Sequence, residues 1–270
     1  MAKHLNNKQM QKISSIKLLP VYLIILTIMA GCNIKSNEDS SSPNKLTKKE
    51  KKEGWILLFD GKSFNGWRGL GLDKAPDGWI IEDETIKILP KTNWPRQADG
   101  QPILGADLIT EETFENFELT WEWKLLKGGN SGIKYNVSEE LSVSYPPNGC
   151  ALGFEYQMMD DSGLSGKAAK DNSTAALYDL VPPHANKILN PLGEFNSGRI
   201  IFNGNHGEHW LNGKKVLEYD LGSEQFDTLL QQSKFKDIPG FAAKKRGHIV
   251  LQDHAEEAWF RNIKIRKLKN

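Results

Sequence analysis

Alternation of apolar and polar side chains, rather than a helical period, organises most of this chain. In Phe117-Glu118-Leu119-Thr120-Trp121-Glu122-Trp123-Lys124-Leu125 every odd-numbered residue is apolar and every even one is charged or polar. A period of two held over that length predicts an antiparallel strand with one face buried. Shorter runs of the same kind occur at Trp55 to Phe59, Trp79 to Ile81, Thr85 to Leu89, Ile133 to Val137, Phe154 to Met159, Arg199 to Asn203, Lys215 to Tyr219, His248 to Gln252 and Ala258 to Ile265. Turn formers separate them: Asp60-Gly61, Asp77-Gly78, Gly128-Gly129-Asn130 and Asn212-Gly213. The last predicts a hairpin, because both central residues of its turn need positive φ. Only Ser223 to Phe235 carries a helical stripe, made by Phe226, Leu229 and Leu230 behind a possible N-cap at Ser223. The pattern therefore predicts an all-β jelly-roll β-sandwich with one short helix, one curved sheet face forming a shallow groove.

The first 53 residues follow a different rule. Lys3, Lys8, Lys12 and Lys17 precede the apolar stretch from Leu18 to Ala30, which ends in Ala30-Gly31-Cys32. A cationic segment, a short apolar core and small residues make up an export signal, and the apolar core is short for a bilayer about 30 Å thick. Met29-Ala30-Gly31-Cys32 resembles a bacterial lipobox, which implies lipidation at Cys32 after removal of residues 1–31. The other cysteine is Cys150, so an exported domain would have no internal disulfide to form, and Cys150 reads as a small core or loop residue. Residues 32–53, polar, Ser-rich and then Lys-rich, read as a flexible tether, leaving 54–270 as the folded domain. The expected location is the cell envelope, periplasmic or anchored at the outer membrane, with membrane contact only through the lipid. With Lys and Arg totalling 35 against 34 Asp and Glu, a nucleic-acid partner is not expected.

Period two also sorts the candidate chemistry. Phe154, Tyr156 and Met158 read as core, which turns Glu155 and Gln157 to the opposite face; Ile133 and Tyr135 do the same for Asn130, Lys134 and Asn136. Ile249 and Leu251 leave Gln252 and His254 opposite. In one sheet these strands would gather a carboxylate, a lysine, amides and an imidazole, a set able to do acid/base chemistry on a polyol. The same pattern also fits a cross-strand Glu155–Lys134 ion pair on a solvated face. On the loop side stand Asp179, His184, Glu194, Asn196, His206, Glu208 and His209. The spacing of His206, Glu208 and His209 matches no zinc pattern, and they lie beside the Asn212-Gly213 hairpin. Asp160 and Asp161 beside Ser162-Gly163 read as turn formers. No phosphate loop, nucleophile elbow or Cys/His pair is present.

A series of motifs then occurs in order. It runs through Phe59-Asp60-Gly61-Lys62-Ser63-Phe64-Asn65-Gly66-Trp67, Trp79 with Ile81-Glu82-Asp83, Gly128-Gly129-Asn130-Ser131-Gly132-Ile133, and Gly153-Phe154-Glu155-Tyr156-Gln157. It continues with Ala176-Leu177-Tyr178-Asp179, Gly193-Glu194-Phe195-Asn196, Leu211-Asn212-Gly213, Gln252-Asp253-His254 and Phe260-Arg261-Asn262-Ile263. The chain from about Trp55 to Leu268 thus resembles the 3-keto-disaccharide hydrolase family. The resemblance implies a concanavalin-like, lectin-like jelly roll and a carbohydrate substrate, a glycoside oxidised at carbon 3. Two positions depart from the family pattern: Ala255 stands where glycine is frequent, and Asn136 where many members carry a basic residue.

A ketone at carbon 3 acidifies the proton on carbon 2. Its removal gives an enolate that expels the group on carbon 1, and water adding to the enone completes a net hydrolysis. Such a route needs a base, a cation or hydrogen-bond donor at the enolate oxygen and a proton donor for the leaving group. Glu155 and His254 are the expected base and acid, in either order. Lys134, Asn130 and Gln157 would orient sugar oxygens or the enolate, with Asp179, Gln252 and Asn196 as further substrate contacts. A divalent cation held by Glu155, His254 or Asp179 could replace Lys134. Two other readings remain open: a lectin-like binding module in which Trp67, Trp94 and Trp210 stack on sugars, and a retaining glycosidase using Glu155 with Asp160 or Asp179.

Overall fold

The alternating run at Phe117–Leu125 forms a strand along its whole predicted length, and its five odd positions are each 2% exposed or less. The computed structural model describes residues 42–93, 106–144, 151–166, 171–243 and 245–269. The segment expected to be an export signal, Cys32, Trp94 and Cys150 lie outside these residues. In chain order the strands are β1 Trp55–Leu57, β2 Trp67–Gly69, β3 Trp79–Glu82, β4 Thr85–Ile88, β5 Leu108–Thr110, β6 Phe117–Leu125 and β7 Asn130–Val137. They continue as β8 Phe154–Met159, β9 Asn196–Asn203, β10 His206–Leu211, β11 Lys214–Asp220, β12 His248–Leu251 and β13 Ala258–Lys267.

These strands build two antiparallel sheets, as the polar/apolar alternation requires. The larger runs β11-β10-β9-β6-β13-β4-β3, with β1 paired to β13; the smaller runs β2-β5-β12-β7-β8. Their inner faces meet in an aromatic core: Trp121 of the large sheet stands edge-on to Tyr156 of the small one at 4.8 Å, and Tyr135 packs on Phe117 and Phe202. Rings held edge to face gain beyond their buried area. The Asn212-Gly213 turn has the expected positive φ at both residues, 47° and 78°, and joins β10 to β11.

One polar chain crosses this core. His209 is fully buried, and burial pushes its imidazole down to about 3, so the ring is neutral. With Nδ1–H donating to Ala175 O at 3.0 Å, Nε2 accepts from the Tyr135 hydroxyl at 2.8 Å, which in turn accepts from Tyr219 at 2.8 Å. All three groups are satisfied within the sandwich. β10 escaped the sequence pattern for this reason: its inward positions are Gly207, His209 and Leu211, of which only one is apolar. β2 and β5 escaped because three residues carry too little alternation to read.

The predicted helix is present as Glu224–Gln232, capped by Ser223, whose Oγ accepts from Phe226 N at 3.2 Å. It ends earlier than Phe235 because Ser233 turns the chain, its Oγ donating to Leu230 O and accepting from Phe235 N. Among the described residues it is not alone. Lys48–Lys52 forms a helix with a capping box between Thr47 and Glu50, and Glu139–Ser144 forms another whose Glu139 holds Arg68 by two bonds of 2.6 and 2.7 Å. Neither has an apolar stripe; caps and charge pairs hold them. The expectation of a single helix is corrected accordingly.

The first of these helices also shortens the expected tether. Asn44, 4% exposed, donates to Glu84 O and accepts from Asn262 N, each at 2.7 Å, and Glu50 pairs with Lys264 at 2.6 Å. Residues 44–53 are therefore part of the folded domain, joined to it by polar contacts that a hydrophobicity argument does not register. Replacing Asn44 removes the partner of two partly buried backbone groups, Glu84 O and Asn262 N. Asn44→Ala should lower unfolding free energy by about 2–3 kcal/mol in a urea titration, whereas a true tether residue would leave the midpoint unchanged.

Candidate active site

The register of the small sheet decides which polar groups meet. Lys134 of β7 lies opposite Glu155 of β8, and Gly132 opposite Gln157. The side chains of Lys134, Glu155 and Gln157 point away from the core, because their neighbours Ile133, Tyr135, Phe154 and Tyr156 fill it. Gly132 is required by the carboxylate beside it: a Cβ there would meet Glu155 Oε1 at 2.7 Å. Glu155 is 8% exposed and accepts from Gln252 Nε2 at 3.4 Å. Burial pushes its carboxyl above the ordinary 4.5, opposed first by Lys134 and then by Lys234.

Lys134 is itself 6% exposed and is held by Asp107. Its Nζ lies 3.3 Å from Asp107 Oδ2 and donates to Ala151 O at 3.2 Å. The same carboxylate accepts from Ala151 N at 3.0 Å and, through Oδ1, from Asp253 N at 2.8 Å. One buried aspartate therefore joins the lysine to both loops that flank the groove.

The opposite wall is built by two turns. Tyr178 N donates to Glu155 O at 3.0 Å, and the next residue, Asp179, adopts φ 58° and receives Lys234 N on its Oδ2 at 2.8 Å. Lys234 Nζ sits 4.2 Å from the Tyr178 ring centre, and Phe235 stacks on Phe241 with the rings 4.2 Å apart. Between sheet and wall lies a cavity of about 390 Å3. Asn130, Lys134, Glu155, Gln157 and Gln252 form its polar side, Tyr178, Phe235 and Ile238 its apolar side, and Lys234 and His254 stand at the rim. Its size and mixed lining suit a small polar ligand with a hydrophobic face. Gln157 donates to Asn130 Oδ1 at 3.2 Å, while the Oε1 atoms of Gln157 and Gln252 have no hydrogen-bond partner among the described residues.

Six of the residues expected from the sequence thus share one cavity: Asn130, Lys134, Glu155, Gln157, Gln252 and His254. Asp179 does not line it; its carboxylate serves the backbone of Lys234, so the set Glu155, His254 and Asp179 is not assembled for a metal. Asn196 is on the other sheet, buried, with Oδ1 accepting from Asn190 N and Asn212 Nδ2 at 2.8 Å each. It shapes a loop and a hairpin instead of a substrate site. Asn136 is buried in the αL region at φ 54°, beside the register shift between β7 and β12, a conformation asparagine tolerates. Ala255 has φ 69°, which accounts for glycine being frequent at that place. Trp67 is buried and donates to Leu58 O, and Trp210 lies on the large sheet against Arg199, so neither stacks in this cavity. Asp160 caps a turn through Ser162 N and Gly128 N.

The histidines of β10 divide by parity: His209 enters the core, and His206 turns outward with Glu208. Among the described residues His206, Glu208 and Glu218 bring ligand atoms within 4.8 Å of one another. Lys215 already bridges both carboxylates there, at 3.1 and 2.5 Å.

Sequence reasoning missed Asp107, Tyr178 and Lys234. Asp107 sits just before a strand too short to read, Lys234 falls within the predicted helical stripe but beyond the helix end at Gln232, and Tyr178 stands out only in the Ala176-Leu177-Tyr178-Asp179 motif.

Asp253, next to the site, is pushed up to about 6 by burial and by the neighbouring Asp107. A carboxyl raised in the folded state stabilises the fold below its unfolded value of 3.8, and that contribution is lost as pH rises through 6. Asp253→Asn should therefore stabilise the protein by about 1–2 kcal/mol at pH 7.5, partial exposure included, and by nothing at pH 3.5. Denaturant midpoints at the two pH values check it.

Comparison with known proteins places these features in context. Residues 54–266 match the family described as the 3-keto-alpha-glucoside-1,2-lyase-like domain. The chain is 39% identical over 234 residues to the 3-keto-disaccharide hydrolase of Bacteroides thetaiotaomicron, covering 80% of this chain and 79% of that one. A solved candidate glycosyl hydrolase of Parabacteroides distasonis superposes with a TM-score of 0.73 at 32% identity, over 84% of this chain and 100% of that one. A second from the same organism gives 0.55 at 26%, over 79% and 99%.

Proposed function

The chain belongs to the family of 3-keto-alpha-glucoside-1,2-lyase-like domains, and from that premise we propose that it cleaves glycosides bearing a ketone at carbon 3, by proton abstraction at carbon 2 and elimination at carbon 1. One observation carries this reading. Among the described residues Glu155 is the only carboxylate lining the cavity, and it is flanked by two lysines. A conventional glycosidase needs two carboxylates across the scissile bond. Elimination beside a ketone needs one base and a cation.

Glu155 takes the proton from carbon 2, and its burial raises its basicity toward that task. The electron pair of the C–H bond moves to the ketone oxygen as an enolate, then returns to form the carbon 1–carbon 2 double bond as the carbon 1–oxygen bond breaks. His254 is the proton donor to the departing oxygen. Its Nδ1 is engaged by Glu256 Oε2 at 2.8 Å, which leaves Nε2 for the substrate. Water then adds across the double bond, hydroxyl to carbon 1 and proton to carbon 2, so the overall change is hydrolysis. Lys134, fixed by Asp107, offsets the charge of Glu155, and the amides of Asn130, Gln157 and Gln252 offer donors and acceptors to sugar hydroxyls. In the cell we place the enzyme at the envelope, carried there by the export signal and held by a lipid on Cys32.

Incubation with a 3-keto-disaccharide, with and without a chelator, should release a 3-keto-sugar. Glu155→Gln should lower kcat by about a thousandfold; wild-type turnover in that variant, or binding of unoxidised glycans without product release, overturns the reading. His254→Ala should slow disaccharides by about a hundredfold but barely affect a 3-keto-glucoside with a nitrophenol leaving group, which departs without a proton. The acid limb of kcat/KM should lie above pH 4.5, because Glu155 must be ionised to act and burial raises its carboxyl. Labelling with radioactive palmitate, lost in Cys32→Ser, tests the anchor.

A further inference from the structure

Elimination moves a negative charge. Before the reaction it resides on Glu155; once the proton has transferred it resides on the ketone oxygen, a few ångströms away. A cation that stabilises both states must face the cavity and have donors to spare. Lys134 also lines the cavity but lacks donors to spare, because its ammonium is engaged by Asp107 and by Ala151 O.

Lys234 meets the requirement. It borders the cavity on the side opposite Lys134, near enough that its charge acts on Glu155. Its Nζ has no hydrogen-bond or ion-pair partner among the described residues; what holds it is the face of Tyr178 at 4.2 Å and that of Phe235 at 5.2 Å. Cation–π contacts place an ammonium without using its N–H bonds. The backbone position is also set. Ser233 ends the helix, Asp179 takes Lys234 N, Phe235 stacks on Phe241, and Tyr178 N is tied to Glu155 O. The turn that carries Lys234 is thereby tied to the strand that carries the base.

We infer that Lys234 is a catalytic residue, its ammonium donating to the carbon 3 oxygen as the enolate forms. This rests on Glu155 being the base. The step balances without another reactant: the carbon 2–hydrogen bond breaks, Glu155 gains the proton, the electron pair settles on the ketone oxygen, and Lys234 keeps its protons while hydrogen-bonding to that oxygen. A preformed donor at a developing oxyanion is worth about 10²–10³ in rate.

The test separates enolate formation from expulsion of the leaving group. The probe is 3-keto-1,5-anhydroglucitol, which has a carbon 2 proton but no glycosidic group to lose at carbon 1. Exchange of that proton in D2O is followed by NMR for the wild type, Lys234→Met, Lys234→Arg and Glu155→Gln, with circular dichroism as the check on folding. Lys234→Met should slow exchange at saturation about a hundredfold with KM changed less than about threefold, Lys234→Arg should recover part of the rate, and Glu155→Gln should abolish exchange. If Glu155→Gln abolishes exchange while Lys234→Met exchanges at the wild-type rate, or changes KM alone, the role of Lys234 is overturned and the base assignment stands. Wild-type exchange in Glu155→Gln overturns the base assignment, and the role of Lys234 with it.

Discussion

A carboxylate sealed into the face of a β-sheet is the constraint from which the rest of this site follows. Glu155 gives up most of its hydration at 8% exposure and, among the described residues, receives one long hydrogen bond in return. An ionised group so placed needs compensating charge nearby. Lys134 supplies it from the opposite strand, and because Lys134 is buried as well, Asp107 must follow. Asp107 then accepts backbone bonds from Ala151 and Asp253, so the charge balance of the base also sets the loops around it. Gly132 belongs to the same chain of requirements, since any side chain there would take the space of the carboxylate.

The two sheets divide the work. The large sheet contributes Trp121, Phe117, Phe202 and the neutral His209, against which the inner face of the small sheet is fixed. A close-packed aromatic core resists the sub-ångström shifts that would misplace a proton-transfer group. The small sheet can then expose charged chemistry on its other face. Its outer wall comes from sequence-distant turns around Tyr178 and Lys234, joined to Glu155 by a backbone hydrogen bond and to each other through Asp179. Asp179, expected to touch substrate, works one layer further out, as a brace for the residue that faces it.

Much of this was readable along the chain. Phe117–Leu125 and Phe154–Met159 match their strands residue for residue, because alternation of large apolar with charged side chains admits one strand and one orientation. The co-facial set Lys134, Glu155 and Gln157 follows from the same rule. The rule failed where its premise failed. β10 buries a glycine and a histidine in place of apolar residues, β2 and β5 are too short to show a period, and Lys48–Lys52 is attached by caps and ion pairs.

Parity along a strand is a local property, so the sequence alone determined which side chains leave the core and which enter it. Whether two outward-facing groups meet depends on strand order and register, which are set by contacts between segments far apart in the chain. That is why Lys134 and Glu155 became partners while Asn196, equally polar and equally prominent in its motif, was taken to the other sheet to hold a hairpin. It is also why Asp107 and Lys234, unremarkable in sequence, became the group that fixes one cation and the cation left free. Charge compensation acts through space, and only the folded chain brings those charges within its range.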